Sequence, residues 1–493
     1  MLYIRMFFIM IISLYTSRVV LKVLGVDDFG IYNIVGSIII LFSFLQTSMT
    51  SSTQRFLTFE LGKKNEDAQF NKVFSTSVNA HLTIIVLVML LAETVGLWFL
   101  NYKMNIPSER VATANWIYQF TLISFCFQTI QTPYTASIIA YEKMSFFAFV
   151  SILESLFSLA VVLILVWMPG DKLFYYGLLT IGVSVVVFFA YKIICNLKLP
   201  DCNYRPIWDK EFYKKLMTFS GWSLFGQIAL VSATQGVGIL LNIFYSVTVN
   251  AAMGVAMQVN KAISAFVNSF QTAFKPQITK SYASSNFEDL HQLVFRTAKF
   301  SFFLLFILAV PVISSMEILL AWWLVEVPQY ATEFSILFII TTLIDSLGGP
   351  LWIALFATGN IKKYQMTISC FLLSDVLFSY LALKLGAAPP TVLLVKIFVY
   401  LSVFIIRIFF ASKACNFSPT LFIKKVLVPA LLVVGVSVPI PILTYSYITN
   451  LNETIAFSLL YVLIIILAIF AVGLNKREQN FLLTKLKSLN RHN

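Results

Sequence analysis

Charge is what this chain has least of. Only 22 of its 493 residues are Asp or Glu and 12% are charged, too few to coat a soluble protein of this size. Cysteine is sparse, at Cys126, Cys195, Cys202, Cys370 and Cys415. None falls in a segment expected outside the membrane and no CxxC pair occurs, so neither a disulfide framework nor a zinc site is indicated. The histidines, His81, His291 and His492, are too scattered for a metal centre. There is no phosphate-binding P-loop and no GxSxG, and no cofactor is expected. What the chain has in abundance is apolar: 59% hydrophobic residues, 47 of them Phe. Apolar runs of about twenty residues recur from end to end, each long enough to cross about 30 Å of hydrocarbon as a helix. They are continuous rather than alternating, which argues against a transmembrane β-barrel. The reading is an all-α polytopic membrane protein.

Fourteen spans are expected, near 2–20, 31–54, 78–100, 113–140, 146–168, 173–194, 216–243, 251–274, 300–320, 333–357, 364–385, 391–411, 424–447 and 454–474. The first, MLYIRMFFIMIISLYTS, lacks a small-x-small cleavage site and runs on into Arg18, so it reads as a membrane helix and not a signal peptide. With the N-terminus inside, inner segments hold 27 Lys and Arg and outer segments six, while Lys261 and Lys396 fall inside spans. That bias places both ends in the cytoplasm. It also accounts for the net charge of +13 without a nucleic-acid partner.

The chain repeats itself. KVFSTS (Lys72–Ser77) echoes LVFRTA (Leu293–Ala298), PYTASIIA (Pro133–Ala140) echoes PLWIALFA (Pro350–Ala357), and ESLF (Glu154–Phe157) echoes DVLF (Asp375–Phe378), at offsets near 221. STQRFLT (Ser52–Thr58) stands opposite KPQITK (Lys275–Lys280) at a similar offset. Two six-helix pseudo-repeat bundles are therefore expected, at 1–195 and 216–412, joined by a cytoplasmic linker at 196–215. Two additional helices at 413–475 and a basic tail at 476–493 follow, with Leu482, Leu486 and Leu489 on one side of the tail. Copies of even span number keep one orientation and can enclose a cavity at the midplane, as alternating access requires.

An ionisable side chain at the bilayer centre costs about 2.5–3.5 kcal/mol and by default faces protein or water. In the eighth span Lys261, Ser264, Asn268, Gln271 and Lys275 are spaced 3, 4, 3 and 4, one helical face. Lys261 has no acid within ten residues in sequence. Ser43, Thr47, Thr50 and Gln54, ending at Arg55, stripe the second span, and Ser220, Ser223, Gln227 and Thr234 the seventh. Lys396, Tyr400 and Arg407 share a face of the twelfth. Lys261, Arg18, Arg55 and Lys396 are the candidate cavity cations; Ser264, Asn268, Gln271 and Gln227 are its candidate polar lining. The plainer reading of such stripes is interhelical hydrogen bonding, about 0.6 kcal/mol per contact, and Arg18 and Lys396 lie near enough to span ends to snorkel. The intramembrane acids Glu154, Asp345 and Asp375 are candidates for proton or sodium coupling, or for pairing with Lys261, Lys396 or a helix end. Pro133, Pro311 and Gly348-Gly349-Pro350 are expected to loosen their spans.

LGVDDFGIYNIVGSI (Leu24–Ile38), TQRFLTFELG (Thr53–Gly62), LLNIFYSVTVNAAMGVAMQVN (Leu240–Asn260), FKPQITKSYA (Phe274–Ala283) and TGNIKKYQ (Thr358–Gln365) resemble the bacterial polysaccharide flippases. That family belongs to the multidrug, oligosaccharidyl-lipid and polysaccharide exporters. The resemblance implies a fourteen-helix, two-lobed transporter of the inner membrane and not an enzyme. It implies translocation of an undecaprenyl-diphosphate-linked oligosaccharide for O-antigen or capsule assembly. The implied partners are that lipid-linked oligosaccharide, membrane lipids and polysaccharide polymerase machinery. It also implies basic residues facing the cavity, for which Arg18, Arg55 and Lys261 are the matching positions. Relatives usually carry a short basic lead before the first span; here the span is already under way at MLYIRM. Two rivals stand beside this reading. A drug exporter of the same fold would want an acidic cavity. A membrane glycosyltransferase could use Asp27-Asp28 in the first outer loop, but the outer loops are too short to hold an acceptor.

Overall fold

A computed structural model describes residues 2–63, 69–104, 107–199, 201–245, 247–324, 327–444, 450–476 and 478–480. Within them the chain is helical: α1 (Leu2–Gly62), α2 (Phe70–Leu91), α3 (Leu97–Lys103), α4 (Val111–Ala140), α5 (Met144–Trp167), α6 (Lys172–Lys198), α7 (Lys210–Phe244), α8 (Val247–Ala283), α9 (Phe287–Ser314), α10 (Met316–Trp323), α11 (Ala331–Ala357), α12 (Lys362–Lys384), α13 (Thr391–Cys415), α14 (Pro419–Phe422), α15 (Val428–Ser437), α16 (Pro439–Thr444) and α17 (Leu451–Ala468). No strand occurs among the described residues. Ten segments of the described residues are long and apolar enough to cross a membrane. With the two halves of α1, and with α4 and α8, helices stand where all fourteen spans were expected.

The first two spans differ from expectation in one respect. A loop was expected between them, but the helix turns at a single residue, Gly25, whose φ of 80° and ψ of 173° break an otherwise continuous α1. Only glycine takes that conformation without a Cβ penalty. The neighbouring acid is spent on structure: Arg110 donates to Asp28 at 2.9 Å and to Asp171 at 3.1 Å, and Asp171 caps α6 through the amides of Leu173 and Phe174. This clasp ties the kink to the starts of α4 and α6. After α2 one π-helical turn, Ala92–Gly96, is followed by α3, and the buried Tyr118 hydroxyl donates to the Ala92 carbonyl at 2.8 Å. A π-turn disturbs the regular helix ladder, and a side-chain donor of this kind compensates it.

Contacts divide the described chain into two compact units. Unit 1 is residues 1–228, 279–285 and 359–365; unit 2 is 229–278, 286–358 and 366–493. In unit 1, α4 packs on α1 and α6, and α1 also packs on α5. Its core is built from Val20, Leu24, Ile117, Tyr118 and Leu122 at one end and Phe74, Tyr134, Ile138 and Tyr191 at the other. The polar segment 201–209 is strapped along one face of α2. Asn71 donates to the carbonyls of Asp201 and Asn203, Asn79 to that of Ile207, the Arg205 amide donates to Ser75, and Lys72 pairs with Asp209 at 2.7 Å. Positions 71, 75 and 79 recur every fourth residue, the helical spacing that presents one face. In unit 2, α11 packs between α9 and α13, and α17 packs on α9. A buried pair, Lys299–Glu478 at 2.6 Å, holds the segment after α17 to α9.

Candidate functional site

Unit 2 contains a cavity of about 460 Å³ walled by α7, α8, α11 and α13. The stripe read from the eighth span supplies one wall: Lys261, Ser264, Asn268 and Gln271 all line it. Phe338, Thr341, Thr342, Asp345 and Ser346 come from α11, and Lys396 and Tyr400 from α13. The wall is braced by its own polar groups. Ser264 donates to the Asn260 carbonyl at 2.7 Å, Thr342 to the Asn260 side chain at 2.6 Å, and Gln271 to Ser301 and the Ser346 carbonyl at 3.2 and 3.1 Å. These hydrogen bonds hold the cavity face of α8 in register with α11.

Charge at this cavity is unevenly matched. The Arg407 guanidinium donates to Asp345 at 2.5 Å, and Lys396 pairs with Asp375 at 3.3 Å, with both side chains of that pair buried. Lys261 is exposed, and among the described residues no acid lies within ion-pairing distance of it. Two ion pairs and one unpaired ammonium leave the site with an excess of one positive charge.

The glycines of α11 serve these contacts. Loosening was expected at Gly348-Gly349-Pro350, but α11 runs unbroken from Ala331 to Ala357. A Cβ at position 348 would collide with the Arg407 guanidinium, and one at 349 with the Gln271 amide. The missing side chains give clearance for two polar contacts. The opposite face of the same helix is apolar: Ile336, Ile340, Leu343, Ile344 and Leu347 line a separate cavity of about 760 Å³ with Phe302, Phe306 and residues of α15 and α16.

Other candidates lie elsewhere. Lys275, the last member of the α8 stripe, packs its ammonium 5.6 Å from the Trp352 ring. Arg55 is buried in unit 1, with its guanidinium 4.5 Å from the ring centres of both Phe56 and Phe59 and close over Gly359. Gln227 is half-buried on α7, also in unit 1. The side chain of Arg18 lies outside the described residues, as does the tail from 481 on.

Unit 1 has a polar cavity of its own, about 420 Å³, lined by Arg5, Ser13 and Thr16 of α1 and Ser151, Glu154, Ser155 and Ser158 of α5. Arg5 donates to Ser151 at 3.2 Å and stacks 4.5 Å from the Phe147 ring centre. Glu154 has no cation within ion-pairing distance among the described residues. Of the three candidate acids it is thus the one not neutralised by a partner. Ser151, Ser155 and Ser158 each give their proton to the carbonyl four residues back, which leaves their cavity-lining oxygens as acceptors, that of Ser151 already meeting Arg5. Sequence reasoning missed Arg5; its helical register with Ile9, Ile12 and Thr16 was the available signal.

A profile of the family described as "Polysaccharide biosynthesis protein" matches residues 2–282, more than half of the chain. The chain belongs to this family. A curated relative, the "Uncharacterized membrane protein EpsK" of Bacillus subtilis (strain 168), is 19% identical over 286 residues, or 57% of this chain and 55% of that one. The match therefore spans about half the length of that relative. Among solved structures, MATE in its bent conformation superposes with a TM-score of 0.74 at 12% identity, over 84% of this chain and 94% of that one. A MOP-superfamily transporter from Pyrococcus furiosus Vc1, reported under the finding that reverse polarity of its binding pocket suggests a different function, superposes at 0.67 with 14% identity, over 84% and 94%. The fold is the one these transporters share, and its many long apolar helices make the chain a multi-pass membrane protein.

Proposed function

We propose that the unit 2 cavity takes the diphosphate of an undecaprenyl-diphosphate-linked oligosaccharide. The chain moves this lipid across the bacterial inner membrane by alternating access, for assembly of a surface polysaccharide such as O-antigen or capsule. The observation that carries this reading is the unpaired ammonium of Lys261 in a cavity whose other cations are already met by acids. Opposite charges about 4 Å apart attract by roughly 4 kcal/mol at an effective dielectric of 20, enough to favour an anion and weak enough to release it. The apolar opposite face of α11 suits a substrate that is half lipid. Family membership supplies the polysaccharide context. The 27-to-6 bias of basic residues favours cytoplasmic termini.

Coupling to an ion gradient falls to Glu154. Asp345 and Asp375 are held in ion pairs, while Glu154 faces a cavity of hydroxyl oxygens that can share a proton or a sodium ion. A drug exporter is the rival on this fold. Its best support is Asp345, which is 44% exposed, but the Arg407 guanidinium already answers that carboxylate. A glycosyltransferase built on Asp28 would have to release it from Arg110.

Complementation of a flippase-null strain tests the assignment. Wild-type protein restores surface glycan and Lys261→Ala does not, at equal membrane abundance, while a parallel efflux assay shows no resistance to cationic drugs. Glycan display by Lys261→Ala, or drug efflux without complementation, would overturn it.

A further inference from the structure

Lys261 is not the only cation on the cavity wall. Lys396 also lines it, yet its side chain is only 4% exposed. Its ammonium lies 5.8 Å from the Phe338 ring centre and 5.9 Å from that of Tyr400, both of which line the same cavity. On its other flank stands Asp375, 3.3 Å away and 1% exposed, which is not among the lining residues. Ser379, one turn along α12, donates to the same carboxylate at 3.5 Å. The lysine thus stands between an aromatic cavity wall and a buried acid.

We propose that Asp375 competes with the substrate phosphate for Lys396 and so sets how tightly the cavity holds its anion. The inference rests on the reading that this cavity binds a diphosphate. When the cavity is empty, the buried ammonium needs Asp375, because an unmet charge at low dielectric is costly. A diphosphate anchored on Lys261 carries more negative charge than that one ammonium neutralises. Lys396 is the next cation on the wall, and the faces of Phe338 and Tyr400 give it favourable surroundings as it turns from the carboxylate. The number of cations facing the anion therefore rises from one to two as it arrives. Release is favoured because Asp375 takes the lysine back. The site should prefer a multiply charged phosphate over a monoanion, since only the former repays the loss of the Asp375 contact. Asp375 acts through Lys396 and is a positioning residue, not a ligand.

The test is calorimetric titration of the full-length protein, in nanodiscs of neutral lipid, with inorganic pyrophosphate. Asp375→Asn should bind pyrophosphate about tenfold tighter than wild type, the low end of coupling for a close charge pair. The charge-free pair Asp375→Asn/Lys396→Gln should lose that gain and bind at least about threefold weaker than wild type. A merely structural ion pair would leave the charge-free pair binding as wild type does. Lys261→Gln is the control for the underlying reading: if it binds as wild type does, the anion site itself is wrong. If Lys261→Gln weakens binding but Asp375→Asn does not tighten it, the site stands and the role of Asp375 falls. Should Asp375→Asn fail to fold, the charge-free pair decides alone. Weaker binding upholds the proposal, and wild-type binding overturns it.

Discussion

Glu154 of ESLF and Asp375 of DVLF stand 221 residues apart in echoing stretches of sequence, and their surroundings treat them differently. Asp375 is sealed in unit 2 against Lys396. Glu154 faces a hydroxyl-lined cavity in unit 1, which it shares with Arg5 but without an ion pair among the described residues. The two carboxylates differ in what answers them. A buried pair is costly to break because the survivor has no water, whereas a cavity-facing acid stays free to exchange a small cation.

That contrast can be broken from either side. The largest expected effect on stability is Lys396→Ala, which strands Asp375 and should cost about 3–5 kcal/mol, read as a fall in the thermal unfolding midpoint in detergent. A shift no larger than that of Glu154→Gln would erase the difference between the two acids. Glu154→Gln should unfold within about 0.5 kcal/mol of wild type. Its transport in proteoliposomes should no longer respond to an imposed proton or sodium gradient. An unaltered response would move coupling to another residue. An effect smaller than that of Lys396→Ala concerns the strap at 201–209. Asp209 accepts the Phe212 amide at the start of α7 and pairs with Lys72, which holds its carboxyl below the usual range. Stabilisation from a depressed carboxyl is present at neutral pH and disappears as pH falls through that depressed value. Asp209→Ala should cost about 1 kcal/mol at pH 7, a typical cap loss, and converge with wild type in strong acid. A constant difference across pH would show that the pair contributes nothing.

The fold and one wall of the site were legible in the sequence because both depend on local periodicity. Twenty-residue apolar runs gave the spans, and a 3-4-3 spacing put Lys261, Ser264, Asn268 and Gln271 on one face of α8. Pairing with Lys396 was among the alternatives offered for the acids, but which acid meets which cation was not legible. Asp375 and Lys396 are 21 residues apart and Asp345 and Arg407 are 62, and nothing in either helix's own pattern specifies its neighbour. The glycines of α11 misled for the same reason. Read alone they suggest weakness, whereas Arg407 and Gln271, which need the space, come from other helices. Gly25 is the converse case: a kink at a single residue stands where a loop was expected.

The central claim is that one unanswered ammonium makes the unit 2 cavity an anion site. Reconstituted flipping of a lipid-linked oligosaccharide, compared between wild type and Lys261→Ala at matched folding, tests it most directly. Removing an attraction of about 4 kcal/mol predicts a loss approaching roughly a thousandfold in rate at subsaturating substrate. A variant that flips the lipid at the wild-type rate would contradict the account.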